Sequence, residues 1–184
     1  MNMNNQGWLL TPALILSATP ALYAKSFGIQ YPTYQESQKG FFPQATQFTP
    51  ADIELSESEI DRVQLMSNVR VREPKQKIWR VKTNQQDIGW FIIDRVIGKH
   101  ELITYALALN ASGSVRGIEV LDFKESYGEE IHEQQWRAQF IGKTLSDPFK
   151  LNQDIRNISG ATLSCKNVTN GVKRLLATYA IKLK

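Results

Sequence analysis

The chain is poor in the side chains that build redox and metal chemistry by themselves. It has one cysteine, Cys165, and two histidines, His100 and His132, among 184 residues. A lone cysteine forms no internal disulfide, and so few Cys and His build no zinc or iron–sulfur site within this chain. Charge of one sign is also in short supply. Lys and Arg number 22 and Asp and Glu 18, a net +4, too small to imply a nucleic-acid partner by itself. No phosphate loop, Ser-His-Asp order or metal-ligand spacing occurs. The only long apolar run lies at the start. It is broken by Pro12 and Pro20 and falls short of the roughly 20 apolar residues a spanning helix needs. What remains is an ordinary globular composition, 42% hydrophobic and 22% charged, enough for one domain with its own core.

Residues 1–24 carry no charged side chain, and Lys25 is the first charge. The run WLLTPALILSATPALYA reads as a secretory signal peptide cleaved after Ala24, which would place the mature protein in a periplasmic or other extracytoplasmic compartment. Residues 25–184 then form a single domain. Its first part, 25–50, reads as an extended lead segment lying on that domain, because Phe27, Tyr31, Tyr34, Phe41, Phe42 and Phe48 need burial. Thr49 with Asp52, and Ser56 with Glu59, have helix-cap spacing, and Ile60, Val63 and Met66 follow as a helical stripe.

From Lys77 to Phe123 the period becomes two. KIWRVKT, IGWFIIDRVIG, ELITYALALN and VRGIEVLDF read as four strands of an antiparallel meander. Ile103, Tyr105, Leu107 and Leu109 share one face; Thr104, Ala106 and Ala108 share the other. The turns are Asn84–Asp87 and Asn110–Gly113. Next comes a helix in which Trp136 and Phe140 stand at i and i+4, one turn after His132, and which Gly142 stops. A last helix spans about Cys165 to Ile181, with Val168, Val172, Leu175, Leu176, Tyr179 and Leu183 as its buried stripe. The fold class is α+β, an antiparallel sheet of about four or more strands with flanking helices.

The stretch with chemical content is NISGATLSCKNVTNGVKRLL, residues 157–176. Ser159, Gly160, Ala161 and Thr162 are small residues just before a helix, and Gly160 permits a turn or a close approach. Ser164 fits an N-cap, and Lys166 stands in the first turn. A helix start favours anions, so a phosphate at the Thr162 hydroxyl would meet backbone donors. A loop and capped helix without ligand would have the same features. Trp79, Trp90, Trp136 and Phe140 read as core, and Cys165 as a small buried helix residue.

The segment Ser159-Gly160-Ala161-Thr162-Leu163-Ser164 resembles the attachment motif of the FMN-binding domain family. VIGKHELITYALALNASGSVRGIEVLDF is similar to that family's central strands. KESYGEEI (124–131) is similar to its Glu-x-x-Gly segment, and WRAQFIGK (136–143) to its helix ending in Phe-x-Gly-Lys. The resemblance spans about Phe41 to Leu176. It implies FMN joined to Thr162 by a phosphoester, with Glu125, Ser126, Tyr127 and Gly128 beside the flavin. It also implies a dedicated flavin transferase with FAD as donor, and membrane electron-transfer proteins as partners. The sequence departs from the family at Arg156, where Asp is common; the nearest acid is Asp154. That departure leaves a second reading, a ligand- or partner-binding module of the same fold without covalent flavin. Residues 70–100 hold eight bases against three acids, and the last helix adds Lys166, Lys173, Arg174, Lys182 and Lys184. Such a basic face would steer an acidic redox partner or peripheral contact with an anionic membrane, or would simply be solvated.

Overall fold

The computed structural model describes residues 30–184. The expected signal peptide, and Phe27 with it, lie outside the described residues. The domain is α+β, with the expected antiparallel sheet. Its strands are β1 (Gln47–Pro50), β2 (Ile53–Glu54), β3 (Lys75–Thr83), β4 (Gln86–Ile97), β5 (Leu102–Asn110) and β6 (Val115–Asp122). The sheet order is β1-β3-β4-β5-β6, and β2 pairs with β3 beside β1. The four expected strands are present as a meander; β1 and β2 extend it. The β3–β4 turn is only two residues, Asn84 and Gln85, both at positive φ (47° and 70°). This twist matches that of the flanking strands. Gln86 and Asp87, expected in the turn, already pair with Thr83 and Lys82.

Both faces of β5 are covered. Ile103, Tyr105, Leu107 and Leu109 pack with the long helix α4 (Thr162–Thr178), Trp136 and Phe140. Ala106 and Ala108 face a second core with Phe42, Trp79 and Phe91. Small residues on that face leave room for the aromatic side chains that follow α1 (Tyr34–Phe41). A Cβ on Gly117 would run into the Phe41 ring. The 25–50 segment is therefore not extended throughout. Thr33 and Glu36 form a reciprocal capping box that starts α1, Tyr34 stacks on Trp79 at 5.4 Å, and Phe42 is buried.

Three further expectations change. Thr49 lies in β1, and Asp52 caps no helix; its carboxylate accepts from Ile78 N at 2.9 Å. Helix α2 (Glu57–Ser67) starts from the Ser56–Glu59 box alone, and Met66 faces solvent. The helix expected around Trp136 is broken into a 3₁₀ turn (Glu129–His132), α3 (Gln134–Arg137) and another 3₁₀ turn (Ala138–Phe140). Glu133 between the first two is extended (φ −62°, ψ 135°). Arg137 anchors this region by donating to His132 O at 2.7 Å and Ile118 O at 3.0 Å. Trp136 and Phe140 are still fully buried.

Helix α4 crosses the sheet over a buried polar knot. Asp94 accepts from Tyr105 Oη and from Arg174 Nη2, both at 2.6 Å. Gly171 makes the approach possible, because a Cβ there would strike Tyr105 Oη. Burial, then the Asp94 charge, pushes the Tyr105 phenol well above its usual range. Burial opposes the charge of Arg174, but Asp94 outweighs it and the guanidinium is held more firmly protonated. Arg174 thus belongs to the interior and adds nothing to a basic face.

Candidate functional site

The site is assembled from three distant segments: the β4–β5 tip, the loop after β6 and the start of α4. Gly160, at φ +84°, turns the chain, and Ala161 N closes the turn on Ile158 O at 3.0 Å. The helix then begins at Thr162, three residues before the expected start. Ala161 holds the cap position without a side-chain cap bond. The first helical bond runs from Cys165 N to Ala161 O. Helix geometry leaves the N–H groups of Thr162, Leu163 and Ser164 without intrahelical acceptors. Ser164 is therefore not the N-cap: it lies buried inside the first turn.

Gly128 brings the second segment in. At φ +92° it lies so close to α4 that a Cβ would collide with the Ala161 methyl. Three residues earlier, Glu125 reaches the β4–β5 tip. Its Oε1 accepts from His100 N at 2.6 Å and Glu101 N at 3.0 Å. Desolvation alone would raise this carboxyl, but the backbone N–H groups of Glu101, His100 and Lys99 outweigh it and hold it below the usual carboxylate range. From the other side Asn167 of α4 donates to Ile97 O at 2.6 Å.

Together these segments enclose a cavity of about 440 Å³. The β4–β5 tip contributes Lys99 and His100, the loop contributes Glu125, Ser126 and Tyr127, and the helix start contributes Gly160 through Ser164. Tyr127, 79% exposed, offers its ring at the rim. Of the residues singled out from sequence, Ser159 lies outside the lining and is exposed, and Gly128 sits behind it against Ala161. Lys99 and His100 were not among the expected site residues. Their only sequence signal is the Gly98-led turn between two strands, since their neighbours come from far along the chain. His132 lies elsewhere, edge-on to Tyr31. Trp79 and Trp90 are buried in the sheet cores.

Thr162 Oγ1 accepts from Asn157 Nδ2 at 3.0 Å. Arg156 is exposed, its backbone fixed by Gln139 Oε1 (2.7 Å) and Trp136 Nε1 (2.8 Å). Asp154 does not replace the missing acid. Its carboxylate is taken up by Lys143 Nζ (2.9 Å), Phe149 N (3.0 Å) and Lys150 N (2.7 Å). Cys165 is fully buried, and that burial pushes its thiol up, away from the reactive thiolate.

The residues present fit FMN. The cavity volume is in the range of cofactor pockets, the open N–H groups and macrodipole of α4 suit a phosphate, and Tyr127 offers a ring face. A second cavity of about 370 Å³ lies between α1, β6 and α3. None of the expected site residues lines it, and its Arg137 is held by Glu119 at 2.7 Å.

Residues 98–177 match the family model of the FMN-binding domain, a span that runs from the β4–β5 tip through most of α4. The likeness drawn from the motif holds there. The fold is similar to that of NqrC from Shewanella oneidensis, with a TM-score of 0.53 and 13% identity over 79% of this chain and 88% of that one. It is similar also to the corresponding component of the Na(+)-translocating NADH-quinone reductase from Parabacteroides distasonis, with a TM-score of 0.50 and 14% identity over 81% and 83%. No curated protein sequence matches this chain.

Proposed function

We propose that this chain is an exported flavoprotein that carries FMN on Thr162 through a phosphoester and passes electrons between membrane-associated and extracytoplasmic partners. The observation that carries the reading is the position of the Thr162 hydroxyl. It stands at the first residue of α4, beside open backbone donors, in a cavity shared with Tyr127 and His100, within the segment matched to the FMN-binding domain. Bound there, the flavin supplies one- or two-electron chemistry. The chain's own residues divide the work. The N–H groups at the α4 start meet the phosphate, Tyr127 walls the ring, and Glu125 fixes the tip that closes the cavity. A tethered phosphate leaves the ring near the surface, where exchange with a second protein is open to it. A dedicated transferase, with FAD as donor and a divalent metal, attaches the group.

Intact-mass measurement after co-expression with the transferase tests this. The expected result is one added FMN, fluorescent in a denaturing gel, and its complete loss in Thr162→Ala with an unchanged melting temperature. Unmodified wild-type mass sinks the covalent reading. Arg156, where the family commonly has a carboxylate, favours the second reading; flavin that comes off on denaturation would establish it.

A further inference from the structure

We infer that Asn157 is the positioning residue for Thr162, holding its oxygen for attachment and then donating to the ester oxygen that results. The inference rests on the covalent reading above. Among the described residues, Asn157 is the one side chain hydrogen-bonded to the Thr162 hydroxyl. The other half of its amide, Oδ1, is buried without a partner. That leaves the bond to Oγ1 as the only hydrogen bond of this amide among the described residues. Neither of the nearby positions that could have supplied an acid does so. Position 156 is an exposed Arg, and the Asp154 carboxylate is committed to Lys143, Phe149 and Lys150.

The orientation of the amide has chemical content. Nδ2 donates to Oγ1, so one lone pair of the hydroxyl is occupied and its proton points elsewhere, free to leave. In the transfer Oγ1 forms a bond to the flavin-side phosphorus of FAD. The pyrophosphate P–O bond breaks, AMP departs, and the hydroxyl proton is released to the leaving phosphate or solvent. Afterwards Oγ1 is an ester oxygen, which only accepts. An amide N–H suits the oxygen before and after. Turned over, Oδ1 would accept from the hydroxyl and then face an ester oxygen with no proton between them. An Asp at this position would be worse, adding a negative charge beside a phosphate.

The test compares wild type, Asn157→Ala and Asn157→Asp, each with purified transferase, FAD and the divalent metal. Labelling is followed by intact mass. Losing one neutral hydrogen bond should slow it by about three- to tenfold in Asn157→Ala, and Asn157→Asp should be at least as slow. The Asp side chain keeps the shape but has no N–H to donate, so melting temperatures are measured beside the rates: slower labelling at an unchanged melting temperature assigns the effect to Thr162 rather than to the fold. A second readout needs no transferase: three-bond NMR couplings should report one Thr162 χ1 rotamer in the free wild type and averaging in Asn157→Ala. Asn157→Asp labelling at the wild-type rate overturns this inference and leaves the covalent reading standing. A wild-type chain that takes no flavin overturns both.

Discussion

At residue scale, a single absent methyl sets how closely the loop after β6 lies on α4. Gly128 stands at φ +92° with Ala161 where its Cβ would be. Gly128→Ala therefore meets a backbone penalty and a collision together, and should cost about 1–3 kcal/mol, measured as a lower denaturant midpoint. The same change should part the loop from the helix and slow flavin attachment at Thr162. The motif Ser159–Thr162 was legible in the sequence because its small residues and the following helix are local. The N-cap was not. Ser164 has the right chemistry for one, but Gly160 turns the chain early and Ala161 is held by long-range packing, which no local spacing reveals. Nor does any local spacing place Lys99 and His100 in the site: a lone histidine in a loop reads first as structural or solvated.

At the scale of elements, α4 is bound to the sheet by more than its apolar stripe. Asp94 and Arg174 are 6% and 8% exposed and meet at 2.6 Å. Arg174→Met would leave the Asp94 charge buried and unpaired, an expected loss of about 3–5 kcal/mol. Replacing both partners with apolar residues, together with Tyr105→Phe so that no buried hydroxyl is orphaned, should recover most of it. Chemical denaturation of the two variants checks the difference. The four long strands were legible because alternation of large and small apolar residues is a period of two whatever surrounds it. Helix α1 was not, since its buried residues include Ser37 and Gln38 and its apolar cover comes from Phe42 just beyond it. A capping box does mark its start. Thr33→Ala should remove about 1 kcal/mol and loosen Phe42, seen as faster amide exchange across α1. The helix around Trp136 looked continuous because Trp136 and Phe140 keep helical spacing; Arg137 bonding to Ile118 and His132 breaks its geometry without touching that pattern.

For the whole molecule, acid is the informative stress. Burial works to raise the Asp154 carboxyl, but Lys150 N, Lys143 and Phe149 N outweigh it and hold it low; Glu125 is held low in the same manner. A depressed carboxylate adds stability that is complete above its unfolded pKa, near 4. That contribution is lost as pH falls through the lower folded value. The urea midpoint should therefore be flat near neutrality and fall below about pH 4. Asp154→Asn should flatten that fall while lowering stability at pH 7 by about 2 kcal/mol. Glu125 has a different consequence. It grips the β4–β5 tip through backbone N–H groups, which any residue except proline would supply at those positions. The side chains at 99–101 can be exchanged without loosening the grip. The outline of the cavity is inherited from the main chain, and what it presents to an incoming molecule is left free to diverge.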